Sequence, residues 1–118
     1  MGDRSIVIIK NGSRMADCAM YTHWNGEDTL TWLREAIPNF AKGDENYSMA
    51  RLIGYFSAKI KGPYGLGVIE NPPSLDRITL LGYSHGGAGV IVYDCETGEI
   101  TACGGYAEDQ LKEEQTVK

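Results

Sequence analysis

The alternation of apolar and polar residues predicts that the chain opens with a strand pair. Residues 5–10 (SIVIIK) form an unbroken β-branched run, which is typical of a buried strand. Asn11-Gly12 follows at once, and this dipeptide is a strong signal for a tight hairpin turn. We therefore expect residues 11–14 to turn and residues 15–24 to return as the second strand.

A first helix is predicted by an apolar face with spacings of three and four residues, formed by Leu30, Leu33, Ile37 and Phe40. Asn25 or Asp28 can cap the exposed N–H groups at its start. Pro38 cannot continue a helix, so we expect this one to end near Ala36 or Ile37.

A second helix is predicted over residues 44–62, after a loop at 41–44. Gly62-Pro63 ends the pattern. Its buried stripe consists of Met49, Leu52, Ile53, Phe56 and Ile60. The last part of the chain then predicts strands around 66–70 and over 77–84, and a hairpin over 89–106. This order of elements favours an α+β fold with a largely antiparallel sheet and two helices packed on one face.

Length and charge narrow the class of protein. With 118 residues, of which 42% are hydrophobic, the chain fits a single globular domain, which we place at 1–106. Residues 107–118 form a polar C-terminal tail, predicted to be a frayed helix or disordered. The net charge of -5 argues against binding along a nucleic-acid backbone, which needs a basic face. No apolar run suits a membrane span, and three cysteines without paired spacing indicate reduced thiols in a cytoplasmic protein.

The stretch Gly82-Tyr83-Ser84-His85-Gly86 matches G-x-S-x-G, the turn that carries the nucleophile of many serine hydrolases. That turn needs a helix after the serine, whereas residues 88–100 predict a strand. The histidine that follows Ser84 is its immediate neighbour and would point to the opposite face of a strand. We therefore interpret the glycines Gly82, Gly86, Gly87 and Gly89 as a bend or as a close approach of another backbone.

No metal or cofactor is predicted. The histidines and cysteines match no zinc-binding spacing. The glycines at 62–67 lack the strand and the helix that flank a dinucleotide-binding loop, and no phosphate-loop lysine accompanies them.

One set of residues has the composition of a small-molecule site: Arg4, His23, Trp24, Asn25, Tyr47, Arg51 and Tyr55. Arginine offers a planar fork to phosphate or carboxylate, and tryptophan and tyrosine offer faces on which a base stacks. Such a set suits an anionic aromatic ligand such as a nucleotide. The alternative is structural: Trp24 ends a strand in the core, and Tyr47, Arg51 and Tyr55 form a surface stripe that recurs every four residues on a helix.

Three stretches resemble a family of small phage and prophage proteins: Met1-Gly2-Asp3-Arg4, Tyr21-Thr22-His23-Trp24-Asn25-Gly26 and Ala50-Arg51-Leu52-Ile53. That family opens with Met-Gly-Asn/Asp-Arg and carries a His-Trp-Asn/Gly-Gly motif, and the resemblance covers about residues 1–95. This chain has Gly26-Glu27 where the relatives usually have Gly-Gly, and its acidic segment after Tyr106 is an extra. The resemblance implies a phage origin and draws attention to Arg4, His23, Trp24 and Arg51.

Three functions are compatible with these observations. The leading hypothesis is a non-catalytic phage accessory protein that antagonises host defence by sequestering a nucleotide-like signal molecule in the host cytoplasm. The alternative is an acidic inhibitor that occupies the basic groove of a nucleic-acid-binding host defence protein, with residues 107–114 contributing charge. The minor alternative is a small hydrolase that uses Ser84 or His23. A homodimer is compatible with each of these, because a small sheet exposes strand edges.

Overall fold

The computed structural model describes residues 2–116, which form a mixed six-stranded sheet and four α-helices. The strands are β1 (Ser5–Asn11), β2 (Arg14–Met15), β3 (Ala19–Thr22), β4 (Leu66–Ile69), β5 (Gly89–Asp94) and β6 (Ile100–Cys103). The helices are α1 (Gly26–Ala36), α2 (Glu45–Lys59), α3 (Arg77–Tyr83) and α4 (Tyr106–Thr116). A short 3-10 turn, Ile37–Asn39, follows α1.

The centre of the sheet is a parallel pair that joins two antiparallel parts. The strand order is β4-β3-β1-β5-β6, and β2 pairs with the end of β1. β1 and β5 run parallel, with Ser5 opposite Gly89 and Lys10 opposite Asp94. The other pairings are antiparallel, so the prediction of a largely antiparallel α+β sheet is confirmed. Both central strands have continuous apolar sequences because both of their faces are buried.

Each face of the sheet packs against its own helices. α1 and α2 cover one face, where Leu33, Leu52 and Phe56 are fully buried against β1. This confirms the prediction of two helices on one face, and Ala107 of α4 joins the same core. α3 covers the opposite face, where its Leu80 packs with Ile6, Ile8, Val90 and Val92.

The strand predicted at 77–84 is wrong, because this segment forms α3. β-branched Ile78 and Thr79 favoured a strand. Asp76 instead caps a helix, since its carboxylate accepts a hydrogen bond from the Thr79 N–H at 2.8 Å. Leu80 is buried, whereas Ile78 is 84% exposed. The apolar residues of this short helix therefore do not form a single buried face, and their spacing does not indicate a helix.

The return strand predicted at 15–24 is shorter and interrupted. β2 covers two residues and β3 covers four. Between them the Asp17 N–H donates to the side chain of Asn46, at the start of α2, at 2.8 Å. His23 and Trp24 therefore lie beyond the end of β3, in the loop that leads to α1.

The remaining elements follow the sequence pattern. α2 begins at its predicted place because the Asp44 carboxylate accepts the N–H groups of Asn46 and Tyr47 at 3.0 and 2.9 Å. α1 ends at Ala36, before Pro38, and β5 and β6 form the predicted hairpin. The polar segment that begins at Tyr106 is helical up to residue 116. Within residues 2–116, none of the helices has the length and apolar character needed to cross a membrane.

Candidate functional site

Four segments meet at one end of the sheet. β1 and β5 start there, and their antiparallel neighbours β3 and β6 end there. Backbone bonds hold the segments together: the Gly26 N–H donates to the Asp3 carbonyl at 2.7 Å, and the Ala88 N–H donates to the Arg4 carbonyl at 2.9 Å. We call this region, residues 2–4, 23–26, 84–88 and 104–105, the glycine-rich end. The fold thus brings the His-Trp-Asn-Gly motif next to the Gly-x-Ser-x-Gly motif.

Asp3 ties the N-terminal segment to two helices. Its carboxylate oxygens accept the Tyr106 hydroxyl at 2.7 and 2.9 Å, and Oδ2 also accepts the Glu27 N–H at 2.9 Å. Burial and this bond to Asp3 raise the pKa of Tyr106 far above its ordinary value, so the hydroxyl keeps its proton and donates. Asp3 therefore caps α1 from outside the helix. The cap predicted at Asn25 is wrong, because the Asn25 side chain makes no capping bond.

Several glycines allow backbones at this end to approach more closely than a side chain would permit, and Gly87 and Gly105 are among the tightest. A Cβ atom on Gly87 would lie 2.4 Å from the carbonyl oxygen and 2.5 Å from the nitrogen of Arg4, and Gly87 has a φ of +59°. A Cβ atom on Gly105 would lie 2.4 Å from the Gly87 carbonyl oxygen. The interpretation of these glycines as sites of close backbone approach is confirmed at Gly87 and at Gly89, where a Cβ atom would lie 2.6 Å from the Cys103 carbonyl oxygen. Gly82, in contrast, lies within α3 with open space around it.

Arg4 and His23 both lie beside Gly2, where the backbones approach closely: a Cβ atom on Gly2 would lie 2.5 Å from the His23 carbonyl oxygen. A Cβ atom on Gly2 would lie 3.3 Å from Arg4 Nε and 3.2 Å from His23 Nε2. Arg4 Nε is buried and has no hydrogen-bond partner among residues 2–116. The other ring nitrogen of His23, Nδ1, shares a hydrogen bond of 3.0 Å with the Tyr21 hydroxyl. A buried N–H without an acceptor is costly, so this arrangement favours a ligand that supplies one.

Trp24 presents an aromatic surface next to this pair. Its side chain is 55% exposed, and its ring meets the His23 ring edge-on with centroids 4.4 Å apart. Trp24 is therefore not a core residue at the end of a strand. Asn25 follows it, with its carbonyl accepting the Asp28 N–H and the Thr29 hydroxyl. We call Arg4, His23 and Trp24 the Arg4 patch.

The other three predicted site residues lie on α2, and they do not contact the Arg4 patch. The Tyr55 hydroxyl donates to Glu35 of α1 at 2.6 Å. Tyr47, 70% exposed, and Arg51 line a separate cavity of about 460 Å³ together with residues 39–41. The start of α2 lies near the end of β1, because the Asn11 side chain donates to the Gly43 carbonyl at 2.7 Å. Tyr47 and Arg51 are thus near the end of the sheet opposite the Arg4 patch.

Ser84 ends α3, and its hydroxyl is engaged within the fold. Its Oγ donates to the Gly104 carbonyl at 2.6 Å and accepts the Gly86 N–H at 3.2 Å. The serine follows a helix and precedes a strand, which reverses the order of a hydrolase nucleophile turn.

Sequence reasoning missed Tyr21 and considered His85 only as a base for Ser84. The His85 ring meets the Tyr21 ring edge-on at a centroid distance of 5.8 Å, and the His23 ring lies 6.2 Å from Tyr21. Beside them is a cavity of about 340 Å³, lined by Ile69, Glu70, Gly82, Tyr83 and His85. The available signal was the spacing of Tyr21 and His23, because residues two apart share a strand face.

The described residues offer no ligand set for a metal ion. Within residues 2–116, no three histidine, cysteine, aspartate or glutamate side chains form a suitable group. Cys18, Cys95 and Cys103 are free thiols. Burial raises the pKa of Cys95, which disfavours the thiolate that metal binding or nucleophilic attack requires.

Comparisons with known proteins add no relative to this description. No protein-family model, curated protein or solved structure matches the chain.

Proposed function

We propose that this chain is a non-catalytic binding protein that sequesters an anionic, nucleotide-like small molecule at the Arg4 patch. The observation that carries the proposal is Arg4, whose buried Nε has no acceptor among residues 2–116. Phosphate and carboxylate oxygens fit the planar fork of a guanidinium and form charge-assisted hydrogen bonds with it. An incoming oxyanion would satisfy a donor that the fold leaves unpaired.

The neighbours of Arg4 suit the rest of such a ligand. His23 Nε2 lies beside Gly2, as Arg4 Nε does, so the imidazole adds a second donor to an oxyanion there when its Nδ1 accepts the Tyr21 hydroxyl. Trp24 is 55% exposed, which leaves aromatic surface on which a base can stack. Stacking of a base on an aromatic side chain contributes about 1–3 kcal/mol.

The proposed biological role rests on the resemblance to phage proteins. Small phage accessory proteins often act against host defence, and some of them sequester nucleotide signals. We therefore propose a nucleotide-like host signal as the ligand class and antagonism of host defence as the role.

Ion pairs within the fold favour this proposal over the acidic inhibitor. Two carboxylates expected to meet a basic groove already hold arginines of the same chain: Glu114 pairs with Arg34 at 2.5 Å, and Glu108 pairs with Arg77 at 2.9 Å. The pKa of each carboxyl is lowered, chiefly by the hydrogen bond from its arginine. A basic partner would have to compete with these contacts before it gained any of its own.

The test is a thermal-melt screen with a panel of nucleotides and cyclic nucleotides. A ligand at one hundred times its Kd should stabilise the folded chain by about 2.7 kcal/mol, which is visible as a shift in Tm. Arg4→Gln should lose most of that shift. Mass spectrometry of the ligand after denaturing the complex should recover it unchanged.

The matched control is Arg51→Gln, which removes an exposed arginine far from the Arg4 patch. It should keep the full shift. Loss of binding in Arg51→Gln with normal binding in Arg4→Gln would move the site to α2. Recovery of an altered compound would show turnover and reject a purely sequestering role.

A further inference from the structure

Tyr21 joins the two histidines of the chain into one surface. The Tyr21 ring lies 6.2 Å from the His23 ring and 5.8 Å from the His85 ring, and its hydroxyl bonds to His23 Nδ1. His23 comes from the loop after β3 and His85 from the loop before β5. These loops are distant in sequence, so only the fold brings the imidazoles together.

His85 has both ring nitrogens available to a ligand. It is exposed, and among residues 2–116 its imidazole makes a ring contact with Tyr21 but no hydrogen bond or ion pair. It also lines the cavity of about 340 Å³, a volume within the range of small-molecule sites. Glu70 is the acidic residue of that lining, and it is exposed.

Side-chain nitrogen groups cluster near Tyr21 in a chain whose net charge is -5. Arg4 and His23 lie beside Gly2, and the His23 and His85 rings lie against the Tyr21 ring. The nearby Asp3 carboxylate is occupied by the Tyr106 hydroxyl and the Glu27 N–H. The surface therefore presents side-chain nitrogen groups at two places, at Arg4 and His23 and at His85, and the Glu70 carboxylate lines the cavity beside the second.

We infer that His85 is a second anion-binding residue of the proposed site, so that the ligand carries two anionic groups. This inference rests on the proposed function, since the first anionic group binds at the Arg4 patch. The second group binds at His85, and the adjoining cavity receives the part of the ligand attached to it. Tyr21 positions both imidazoles and separates the two anionic groups.

The experiment is isothermal titration with three probes: adenosine 5′-monophosphate, adenosine 5′-diphosphate and the 5′-phosphorylated dinucleotide pApA. At least one of the two probes with a second anionic group should bind about tenfold more tightly than the monophosphate, the gain expected from one further charge-assisted hydrogen bond. His85→Gln should abolish that gain and leave the affinity for the monophosphate unchanged. His85 is exposed, so its substitution leaves the core intact.

The matched control is His23→Gln, which should weaken all three probes because it acts on the first anion-binding point. Equal affinities of the three probes for the unaltered chain would overturn the inference, as would a failure of all three to bind. Weaker monophosphate binding in Arg4→Gln, combined with no effect of His85→Gln on any probe, would leave the proposed function standing and reject this inference alone.

Discussion

The two ends of the sheet differ in the kind of polar atom that they leave buried and unpaired. At the end opposite the glycine-rich end, carboxylates pair with the backbone, and Asn71, whose side-chain amide donates to the Ala16 carbonyl, leaves an acceptor, Oδ1, without a partner among residues 2–116. The Asp94 carboxylate accepts the N–H groups of Gly12 and Glu96 at 3.3 and 2.9 Å. Asp44 caps α2 in the same manner. At the glycine-rich end, Arg4 Nε is buried without a partner among residues 2–116, and Trp24 is half exposed.

Cavity size and the unpaired donor indicate different ends of the sheet. The opposite end has a cavity of about 520 Å³, lined in part by Phe40, Tyr93 and Cys95, which is larger than the cavity of about 340 Å³ at His85. The nearby carboxylates of Asp94 and Asp44 already accept hydrogen bonds from backbone N–H groups of the turns and of the start of α2. A donor that the fold leaves unpaired is a better indication of a ligand, because the fold gains nothing from it.

The largest expected effect comes from adding a methyl group at the glycine-rich end. Gly87→Ala places a Cβ 2.4 Å from the Arg4 carbonyl oxygen at a positive φ, so the loop must move. We expect a loss of roughly 3–5 kcal/mol in the free energy of unfolding, measured by urea denaturation. Gly82→Ala is the matched control: it lies in α3 with open space around it and should be neutral or slightly stabilising. Equal stabilities of the two variants would show that the close approach is unimportant.

A smaller effect is expected from Tyr106→Phe, which removes the hydroxyl that bonds to Asp3. A hydrogen bond to a charged group contributes about 1.5–3 kcal/mol. The pKa of Tyr106 is raised in the folded chain, so this stabilisation is present below the ordinary tyrosine pKa and is lost as the pH rises toward the folded value. Melting curves above pH 10 should therefore fall more steeply for the unaltered chain than for Tyr106→Phe. Parallel curves would assign the alkaline loss to other groups.

The smallest effect is expected at the opposite end, from Asp94→Asn. Burial alone would raise the pKa of Asp94, but the N–H groups of Glu96 and Gly12, together with Lys10, lower it. The stabilisation is therefore present above the ordinary aspartate pKa and is lost as the pH falls through the lowered folded value. We expect Asp94→Asn to cost about 1 kcal/mol at pH 7 and to flatten acid denaturation below pH 4. Nucleotide binding should be unchanged, and a loss of binding would contradict the separation of the two ends.

The periodicity of the sequence predicts the core elements well, because the residues that an element buries recur at a regular spacing along the chain. The run at 5–10 is buried on both faces, and the stripe of Met49, Leu52 and Phe56 packs as expected. α3 was missed because β-branched Ile78 and Thr79 favoured a strand and the cap at Asp76 was not considered. The parallel pairing of β1 with β5 was also missed, since a pairing between distant segments leaves no local pattern.

The candidate site shows the same limit. Arg4, His23 and Trp24 were noticeable from their residue types and their motif, and the fold places them together. Asp3 and His85 gained their positions only through the β1–β5 pairing, which brings the loop at 84–88 against residues 2–4. Tyr47 and Arg51 were grouped with Arg4 and His23 because of their residue types and their spacing on one helix. They lie near the start of α2, which is close to the opposite end of the sheet.

The β1–β5 pairing also has a consequence for how the chain folds. Ser5 of β1 pairs with Gly89 of β5, which is synthesised much later. The central strand pair therefore cannot form until most of the chain has left the ribosome. Until then the apolar run of β1 lacks its main neighbour and stays available to chaperones. The loop between β1 and β5 is long, and its closure costs entropy before the strands gain their contacts. This chain should therefore refold more slowly than a helical bundle of equal length.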